Sequence, residues 1–299
     1  MHQIIDMRCR PAYLHDFFGR TPGTAEYDTV RWLNRRVGTR GDDQHFTRSS
    51  TPQGFLDEIT DAGLSRAVVV GRQTPGQHLP NDDIAAIVAL DHTRLIGIGA
   101  VDPALGQAAL AEVERAQTLG LHGINIEPGF GTPPRHADDP AFFPLYDLLQ
   151  SLNIPLFIMS GPTTPDPRFN DPTAVAVVAA AFPQLKIGLY HGFWPNVQAA
   201  IGVAFRHENV HLIPDMYLFQ AGSDAYVQAA NGWMGDQLLF GSSYPFRPIG
   251  QSISDAERLG LRADVLDRFF AGNAARLLSL PAAAHSNTAL NPEPKGRIA

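Results

Sequence analysis

The sequence predicts a single (β/α)8 barrel, the TIM-barrel class of α/β fold. At 299 residues the chain is long enough for one such barrel, which usually needs about 250 residues. Short runs rich in β-branched residues alternate with longer Ala- and Leu-rich segments of helical period, a pattern typical of a parallel sheet with crossover helices. Eight runs are predicted as strands: residues 3–10, 66–71, 95–101, 121–127, 154–160, 185–191, 210–216 and 237–243.

Helices are predicted between the later strands, where apolar residues recur every three or four positions. They cover residues 82–91, 107–120, 140–153, 171–182 and 196–205, and a terminal helix pair is predicted over 253–280. Residues 11–53 are too long for a simple connection, so we expect a flexible lid that caps the barrel mouth. The barrel domain is predicted to span 1–280, and the Pro/Ala-rich tail at 281–299 is expected to be loosely ordered.

Composition excludes several classes of partner and compartment. The formal net charge is −7, and no run of Lys and Arg suggests a surface for nucleic acid. Cys9 is the only cysteine, so neither an internal disulfide nor a cysteine-cluster metal site can form. No signal-peptide pattern and no run of about 18 apolar residues is present, so we expect a cytoplasmic protein without a membrane segment.

The first strand carries an unusual pair of cations. Because side chains alternate along a strand, Asp6, Arg8 and Arg10 are predicted to point into the barrel. Met7 and Cys9 are predicted to point outward, which makes Cys9 a structural residue rather than a nucleophile.

Polar residues also end the later strands, where the chemistry of a (β/α)8 barrel is found. The same alternation nominates Glu127, Ser160, His191, Asp215 and Ser243. Arg72, just after the second strand, can also reach the mouth. Since polar side chains are costly to bury unpaired, several of these groups should meet there.

The order of five motifs resembles the amidohydrolase-related family, which contains nonoxidative aromatic decarboxylases and lactone hydrolases. The motifs are IIDM at 4–7, VDP at 101–103, YHGFWP at 190–195, FGSSYPF at 240–246 and GNAARLL at 272–278. The resemblance runs from about residue 3 to residue 280. It implies a barrel with its pocket at the C-terminal face, and association of copies of the chain as a dimer.

The resemblance also implies a metal centre that this chain lacks. The family's ligands are two histidines on strand one, one on strand five, one on strand six and an aspartate on strand eight. Those positions hold Arg8, Arg10, Ser160, His191 and Ser243. A guanidinium has no lone pair to donate, and one imidazole cannot hold a catalytic dication alone. The standard metal centre is therefore predicted to be absent.

Three alternatives remain open for the mouth. A relocated site for one zinc or manganese ion would use Glu127, His191 and Asp215. A metal-free site would use Arg8 and Arg10 to bind a substrate carboxylate while His191, with Asp215 or Glu127, moves protons. A third alternative is a catalytically inactive barrel that binds a ligand or a partner.

Each candidate also has a purely structural interpretation. The two arginines can form an ion-pair network with the nearby acids, and Glu127 can be salt-bridged to arginine. Asp215 can serve only to orient His191. The hydroxyls of Ser160 and Ser243 can fill the space left by the family's ligands. Tyr217 belongs to a group of aromatic residues that can form either a pocket wall or part of the core; the others are Tyr190, Phe193 and Trp194.

The preferred prediction is a hydrolase acting on a small carboxylated molecule such as a lactone or another ester. Arg8 and Arg10 would fix the substrate anion and stabilise oxyanion charge, while His191 and Asp215 activate water. The candidate catalytic residues are thus His191, Asp215 and Glu127. The candidate substrate-binding residues are Arg8, Arg10, Arg72, Ser160, Tyr217 and Ser243. A nonoxidative decarboxylase is the first alternative, and a non-catalytic binding or scaffold barrel is the second.

Overall fold

The computed structural model describes residues 3–280, so the tail predicted at 281–299 lies outside the described residues. Within residues 3–280 the strands are β1 (Ile5–Cys9), β2 (Arg66–Val70), β3 (Arg72–Thr74), β4 (Gln77–Leu79), β5 (Leu95–Ala100), β6 (Ile124–Ile126), β7 (Leu156–Met159), β8 (Ile187–Tyr190) and β9 (Val210–Ile213). All except β3 and β4 pair side by side in one parallel sheet, in the order β1-β2-β5-β6-β7-β8-β9. The strands β3 and β4 form a separate antiparallel hairpin.

The barrel is closed by an irregular segment at 237–244, where the eighth strand is predicted. On one side, Leu239 N donates to Leu212 O at 2.9 Å; on the other, Met7 N donates to Phe240 O at 3.1 Å. Isolated parallel bridges join Leu212 to Leu238 and Cys9 to Tyr244. The (β/α)8 prediction is therefore confirmed, although this closing segment pairs too irregularly to count as a continuous strand.

Helices surround the sheet. Within residues 3–280 the α-helices are α1 (Ala25–Arg36), α2 (Gln44–Ser49), α3 (Pro52–Asp61), α4 (Asn81–Val88), α5 (Gln107–Thr118), α6 (Phe143–Ser151), α7 (Pro172–Ala181), α8 (Val197–Arg206), α9 (Asp224–Asn231), α10 (Ile249–Ala256), α11 (Ala263–Asp267) and α12 (Asn273–Leu277). Helix α7 begins as its sequence predicts, with the Asp171 side chain accepting from Thr173 N and a proline in the first turn. None of the helices in this range is long and apolar enough to cross a membrane.

The core has two layers, one inside the barrel and one outside it. The inner cluster takes residues from most strands: Ile5, Met7, Val68, Val70, Ile96, Ile98, Phe157, Met159, Tyr190, Ile213 and Leu239. The outer cluster packs the sheet against the helices and includes Cys9, Ala67 and Val69.

The prediction that Met7 points outward with Cys9 is wrong, because β1 is irregular. Its register with β2 shifts between Asp6 and Cys9. Such a bulge reverses the alternation, so Met7 joins the inner cluster while Cys9 lies in the outer one. Asp6 is fully buried beside the closing segment, where Oδ1 accepts from the Arg8 and Ser242 amides, each at 2.9 Å. The bulge leaves both arginines at the mouth.

The segment at 11–53 is largely helical and is tied to the barrel rim. Asn34 Nδ2 in α1 donates to Phe246 O at 2.8 Å. The buried Arg247 guanidinium donates to Val37 O, just after α1, and pairs with Asp255 in α10. These bonds hold α1 across the mouth as a wall of the cavity beneath it.

Candidate functional site

A cavity of ≈ 430 Å³ opens at the C-terminal ends of the strands. Its ionisable lining consists of Arg8, Arg10 and His191 from the barrel and Arg72 from the start of β3. Its apolar lining includes Phe17, Phe18, Trp32, Leu33, Phe130, Met159, Met216 and Phe246. The cavity is therefore aromatic on its walls and cationic at its floor.

His191 and Asp215 form a directed pair at the ends of β8 and β9. The Nδ1 atom of His191 lies 2.8 Å from Asp215 Oδ1, and the His191 amide donates to Asp215 Oδ2 at 3.1 Å. Both residues are buried. Because an ionised carboxylate only accepts, Nδ1 carries the proton of a neutral ring, and Nε2 is left with its lone pair.

The backbone around this pair is strained. His191, Asp215 and Ser243 have φ of 61°, 45° and 59°, which non-glycine residues adopt rarely and mostly at functional sites. The loop after His191 is braced by Tyr226, whose buried hydroxyl donates to Gly192 O at 2.7 Å. A Cβ on Gly192 would lie 2.7 Å from that hydroxyl oxygen, so the position requires glycine.

The environment favours the neutral imidazole. Burial lowers the pKa of His191 below its usual range, and the charges of Arg8 and Arg10 act in the same direction. Asp215 opposes them through its charge and hydrogen bond, without reversing the shift. At neutral pH the ring is thus an uncharged acceptor at the cavity wall, which suits a general base.

Glu127 is enclosed by two arginines rather than free to act as a base. One oxygen lies 2.8 Å from Arg10 Nη2 and the other 2.8 Å from Arg72 Nη2. Asn125 Nδ2 also donates to Oε1 at 3.0 Å. Burial opposes ionisation, but the charges of Arg72 and Arg10 prevail and hold the pKa of Glu127 below its usual range. The prediction that Glu127 is a second base or a metal ligand is not supported by this geometry, since both its oxygens already face cations.

Two nitrogens of the Arg10 guanidinium group, Nε and Nη2, are held by hydrogen bonds. Its Nε donates to Val70 O at 2.9 Å, and its Nη2 donates to Gly71 O at 2.8 Å as well as to Glu127. Burial and the neighbouring Arg8 charge lower the pKa of Arg10 to about 9, so it stays cationic at neutral pH. The structural interpretation, an ion-pair network, describes Arg10 and Arg72.

Arg8 differs from the other two arginines. It is only 4% exposed, and no carboxylate among residues 3–280 lies within salt-bridge distance of it. Its Nη2 contacts Met159 Sδ at 2.9 Å, and its guanidinium lies 4.7 Å from the centre of the Tyr190 ring. Arg8 is therefore a buried cation at the cavity without a counter-ion from the described chain.

The hydroxyl residues predicted to bind substrate, Ser160, Tyr217 and Ser243, are not part of the cavity lining. Ser160 Oγ is satisfied by Thr164 Oγ1 and Phe169 O, each at 3.2 Å. Within the described range, the buried hydroxyls of Tyr217 and Ser243 have no hydrogen-bond partner. The Tyr217 ring packs edge-on to His191 at 5.0 Å and stacks on Trp194 at 5.4 Å.

The residues present do not fit the family's divalent metal. Across residues 3–280, no group of three or more His, Cys, Asp or Glu side chains is placed to hold a metal ion, so Glu127, His191 and Asp215 do not form the relocated site. A dication about 4 Å from one guanidinium would be repelled by about 8 kcal/mol at an effective dielectric constant near 20. The ionisable groups that line the cavity are three guanidinium groups and one imidazole.

Sequence reasoning missed the part of the cavity that comes from distant segments. Trp32 and Leu33 enter from α1, and Gly76 and Gln77 enter from the hairpin of β3 and β4. No local pattern marks these as pocket residues, because their positions depend on how two excursions fold over the rim. The prediction that Ser160 is the inward residue at the end of its strand is wrong: Phe157 and Met159 belong to the inner cluster, so Met159 lines the cavity and Ser160 does not.

The fold and the family are recognised by comparison with known proteins. An uncharacterized TIM-barrel protein from Bordetella bronchiseptica is similar at 30% identity, with a TM-score of 0.86, over 93% of this chain and 99% of that one. The 5-carboxyvanillate decarboxylase of Sphingomonas paucimobilis shares the fold at 18% identity, with a TM-score of 0.64, over 94% of this chain and 100% of that one. A probable 2-pyrone-4,6-dicarboxylic acid hydrolase from Acinetobacter baumannii does so at 13% identity, with a TM-score of 0.62, over 93% and 99%.

Sequence comparison adds a decarboxylase and a family model. The 2-amino-3-carboxymuconate-6-semialdehyde decarboxylase of Dictyostelium discoideum is 33% identical over 79 residues. That match covers 26% of this chain and only 21% of the relative's length. The amidohydrolase family model matches residues 6–280. The chain belongs to the amidohydrolase family.

Proposed function

We propose that this chain is a hydrolase that cleaves the ester or lactone bond of a small substrate carrying a carboxylate. The observation that carries the proposal is the His191–Asp215 pair, which leaves the Nε2 lone pair of a neutral imidazole at the wall of a cationic cavity. A neutral imidazole oriented by a buried carboxylate is suited to remove a proton from water.

The charge of the cavity supports an anionic substrate. Of the three guanidinium groups at the mouth, those of Arg10 and Arg72 pair with the carboxylate of Glu127, and the carboxylate of Asp215 is bound to His191. Arg8 is the cation without a carboxylate partner in the described range. A substrate carboxylate beside it would replace the missing counter-ion, and the aromatic walls would cover an apolar or planar body.

The reaction then follows from the residues that line the cavity. Nε2 of His191 takes a proton from water while the water oxygen bonds to the carbonyl carbon and the carbonyl electron pair moves to oxygen. The cationic floor formed by Arg8 and Arg10 stabilises that oxyanion. As the tetrahedral intermediate collapses, the bond to the alkoxide breaks, and the imidazolium returns its proton to the leaving oxygen.

A nonoxidative decarboxylase is the second candidate, favoured by the similarity to the Dictyostelium decarboxylase. That reaction needs an acid to protonate carbon as carbon dioxide leaves. Because the pKa of His191 is lowered, little of the ring carries the second proton at neutral pH, so little of it can act as that acid. An arginine that grips the departing carboxylate also stabilises the ground state, which does not lower the barrier. Both points favour hydrolysis.

The test is turnover of a panel of carboxylated lactones, esters and aromatic acids by the purified chain. Acid release at constant pH reports hydrolysis, and carbon dioxide release reports decarboxylation. We expect acid release from carboxylated lactones or esters and its loss in His191→Gln. Carbon dioxide release in place of acid release would establish the second candidate, and inactivity on the whole panel would favour the non-catalytic alternative.

A further inference from the structure

We propose that the space around Arg8 is a binding site for a small monovalent anion, at the place where the family resemblance predicts a divalent cation. The inference rests on the proposed function only for the natural occupant, which is then the carboxylate of the substrate. The site itself follows from the side chains around Arg8, whatever bond the protein cleaves.

The first observation is that Arg8 is buried without a counter-ion in the described range, although two neighbouring arginines share one. Arg10 and Arg72 both reach Glu127 at 2.8 Å. Arg8 instead faces the sulfur of Met159 and the ring of Tyr190. Neither carries a charge, and a buried cation without an anion is unfavourable. An anion bound beside Arg8 would supply the missing negative charge.

The second observation is a set of hydrogen-bond donors that lack acceptors. Among the described residues, the buried atoms without a hydrogen-bond partner include Arg8 Nη1, Tyr190 Oη, Tyr217 Oη and Ser243 Oγ. All four can donate, and buried donors are normally paired. One small anion can accept several such bonds at once.

Tyr190, Tyr217 and Ser243 come from parts of the barrel that lie close to Arg8. The Arg8 guanidinium lies over the Tyr190 ring at 4.7 Å, and its charge acts on the Tyr217 hydroxyl. The closing segment runs alongside: a Cβ on Gly241 would lie 3.3 Å from Arg8 Cβ, two residues before Ser243. The carboxyl group of Asp6 lies on the same strand, but within residues 3–280 it forms no ion pair with the Arg8 guanidinium. Its Oδ1 accepts from the Arg8 and Ser242 amides, and its Oδ2 has no hydrogen-bond partner in that range.

The set is selective for the sign of the ligand charge. A guanidinium offers only N–H donors and repels cations, while tyrosine and serine hydroxyls can turn their protons toward an anion. The acidic group nearest His191, Asp215, is already engaged by two hydrogen bonds from that residue. A halide or a carboxylate oxygen fits this chemistry, and a dication does not.

The direct test is a crystal of the full chain soaked in sodium bromide, measured at the bromine absorption edge. We expect an anomalous peak beside Arg8, within hydrogen-bond distance of Nη1. The same crystals soaked in manganese chloride should show no manganese peak there. A bromide soak without a peak at Arg8, or a manganese peak in its place, would overturn the proposal.

Solution measurements with matched variants extend this test. Bromide and acetate should raise the melting temperature of the wild type in a saturable way. The anion dissociation constant should rise at least tenfold in Arg8→Met and severalfold in Ser243→Ala. Ser160→Ala is the control, because its hydroxyl already has partners in Thr164 and Phe169, and it should bind as the wild type does. Equal binding by Ser243→Ala and Ser160→Ala together with normal binding by Arg8→Met would refute the site.

The occupant is distinguished by kinetics. If the substrate carboxylate occupies the site, bromide and acetate inhibit competitively. If a free inorganic anion occupies it during turnover, the same salts activate. Anion binding at Arg8 in a chain that hydrolyses nothing in the panel would leave this site standing and remove the proposed function. Hydrolysis without anion binding at Arg8 would support the proposed function and refute the anion site.

Discussion

The substitution Asp215→Asn tests the assignment of His191 as the base, and its effect can be worked out from the geometry. Asp215 accepts from the His191 amide at 3.1 Å and lies 2.8 Å from Nδ1. An amide in its place keeps only one acceptor. If its oxygen takes the backbone bond, its NH2 group faces Nδ1, and the ring proton moves to Nε2. The lone pair that should receive the proton of water is then lost.

The magnitude follows from the usual contribution of general-base catalysis, about 10²–10⁴-fold. We therefore expect kcat of Asp215→Asn to fall by about 10²–10⁴, a loss of about 3–5 kcal/mol in transition-state stabilisation. KM should change little, because the substrate carboxylate is assigned to Arg8. Asp236→Asn is the matched control: Asp236 is an exposed carboxylate paired with Arg268 and Arg276, and its loss should leave kcat unchanged.

The pH profile separates this role from a merely structural one. In the wild type, the pKa of His191 is lowered, so activity should persist below pH 6.5, the usual pKa of histidine, before protonation of Nε2 abolishes it. Asp215 is the group that raises this pKa, so its neutralisation should move the acid limb to still lower pH. A kcat within threefold of wild type, or an unmoved acid limb in a folded variant, would refute the assignment.

Three further predictions concern other parts of the molecule. Tyr226→Phe removes the brace on the loop after His191 and should lower kcat about tenfold, the effect of a loss of about 1.4 kcal/mol, with KM unchanged; a rise in KM alone would argue against positioning. Glu127→Gln leaves two buried arginines without their carboxylate and should lower the free energy of unfolding, measured in urea, by about 3–5 kcal/mol; a change under about 1 kcal/mol would contradict the ion-pair network. His45 is buried and its pKa is lowered to about 4, so the unfolded chain binds the extra proton below pH 6.5; stability should fall by up to about 3 kcal/mol between pH 6.5 and 4, and His45→Gln should flatten that part of the curve.

The sequence alone was sufficient for the architecture, because alternating strand and helix patterns are local properties of the chain. It also predicted that His191 and the arginines lie at the barrel mouth, where they line the cavity, since a polar residue that ends an apolar strand is conspicuous. Their roles in binding or catalysis stay predictions. It was wrong for Met7 because the bulge in β1 reverses the alternation. A register shift depends on the partner strand, and one strand's pattern does not reveal it.

The partners within the site could not be predicted from the sequence. Three arginines lie near Glu127, and only Arg10 and Arg72 form ion pairs with it within the described residues. That choice depends on side-chain reach across the mouth, which spacing along the chain does not determine. The cavity wall formed by Trp32 and Leu33 of α1 could not be predicted for the same reason, because its position depends on long-range contacts such as the hydrogen bond from Asn34 to Phe246.

The central claim is that a carboxylated substrate binds with its anion on Arg8 and its reacting carbonyl beside Nε2 of His191. The most direct measurement is a crystal structure of the full chain with a non-hydrolysable amide analogue of the best substrate in the panel. The account predicts the analogue's carboxylate on Arg8 Nη1 and its carbonyl carbon facing Nε2, with no metal ion between them. A carboxylate bound away from Arg8, or a metal ion coordinated by His191, would contradict it.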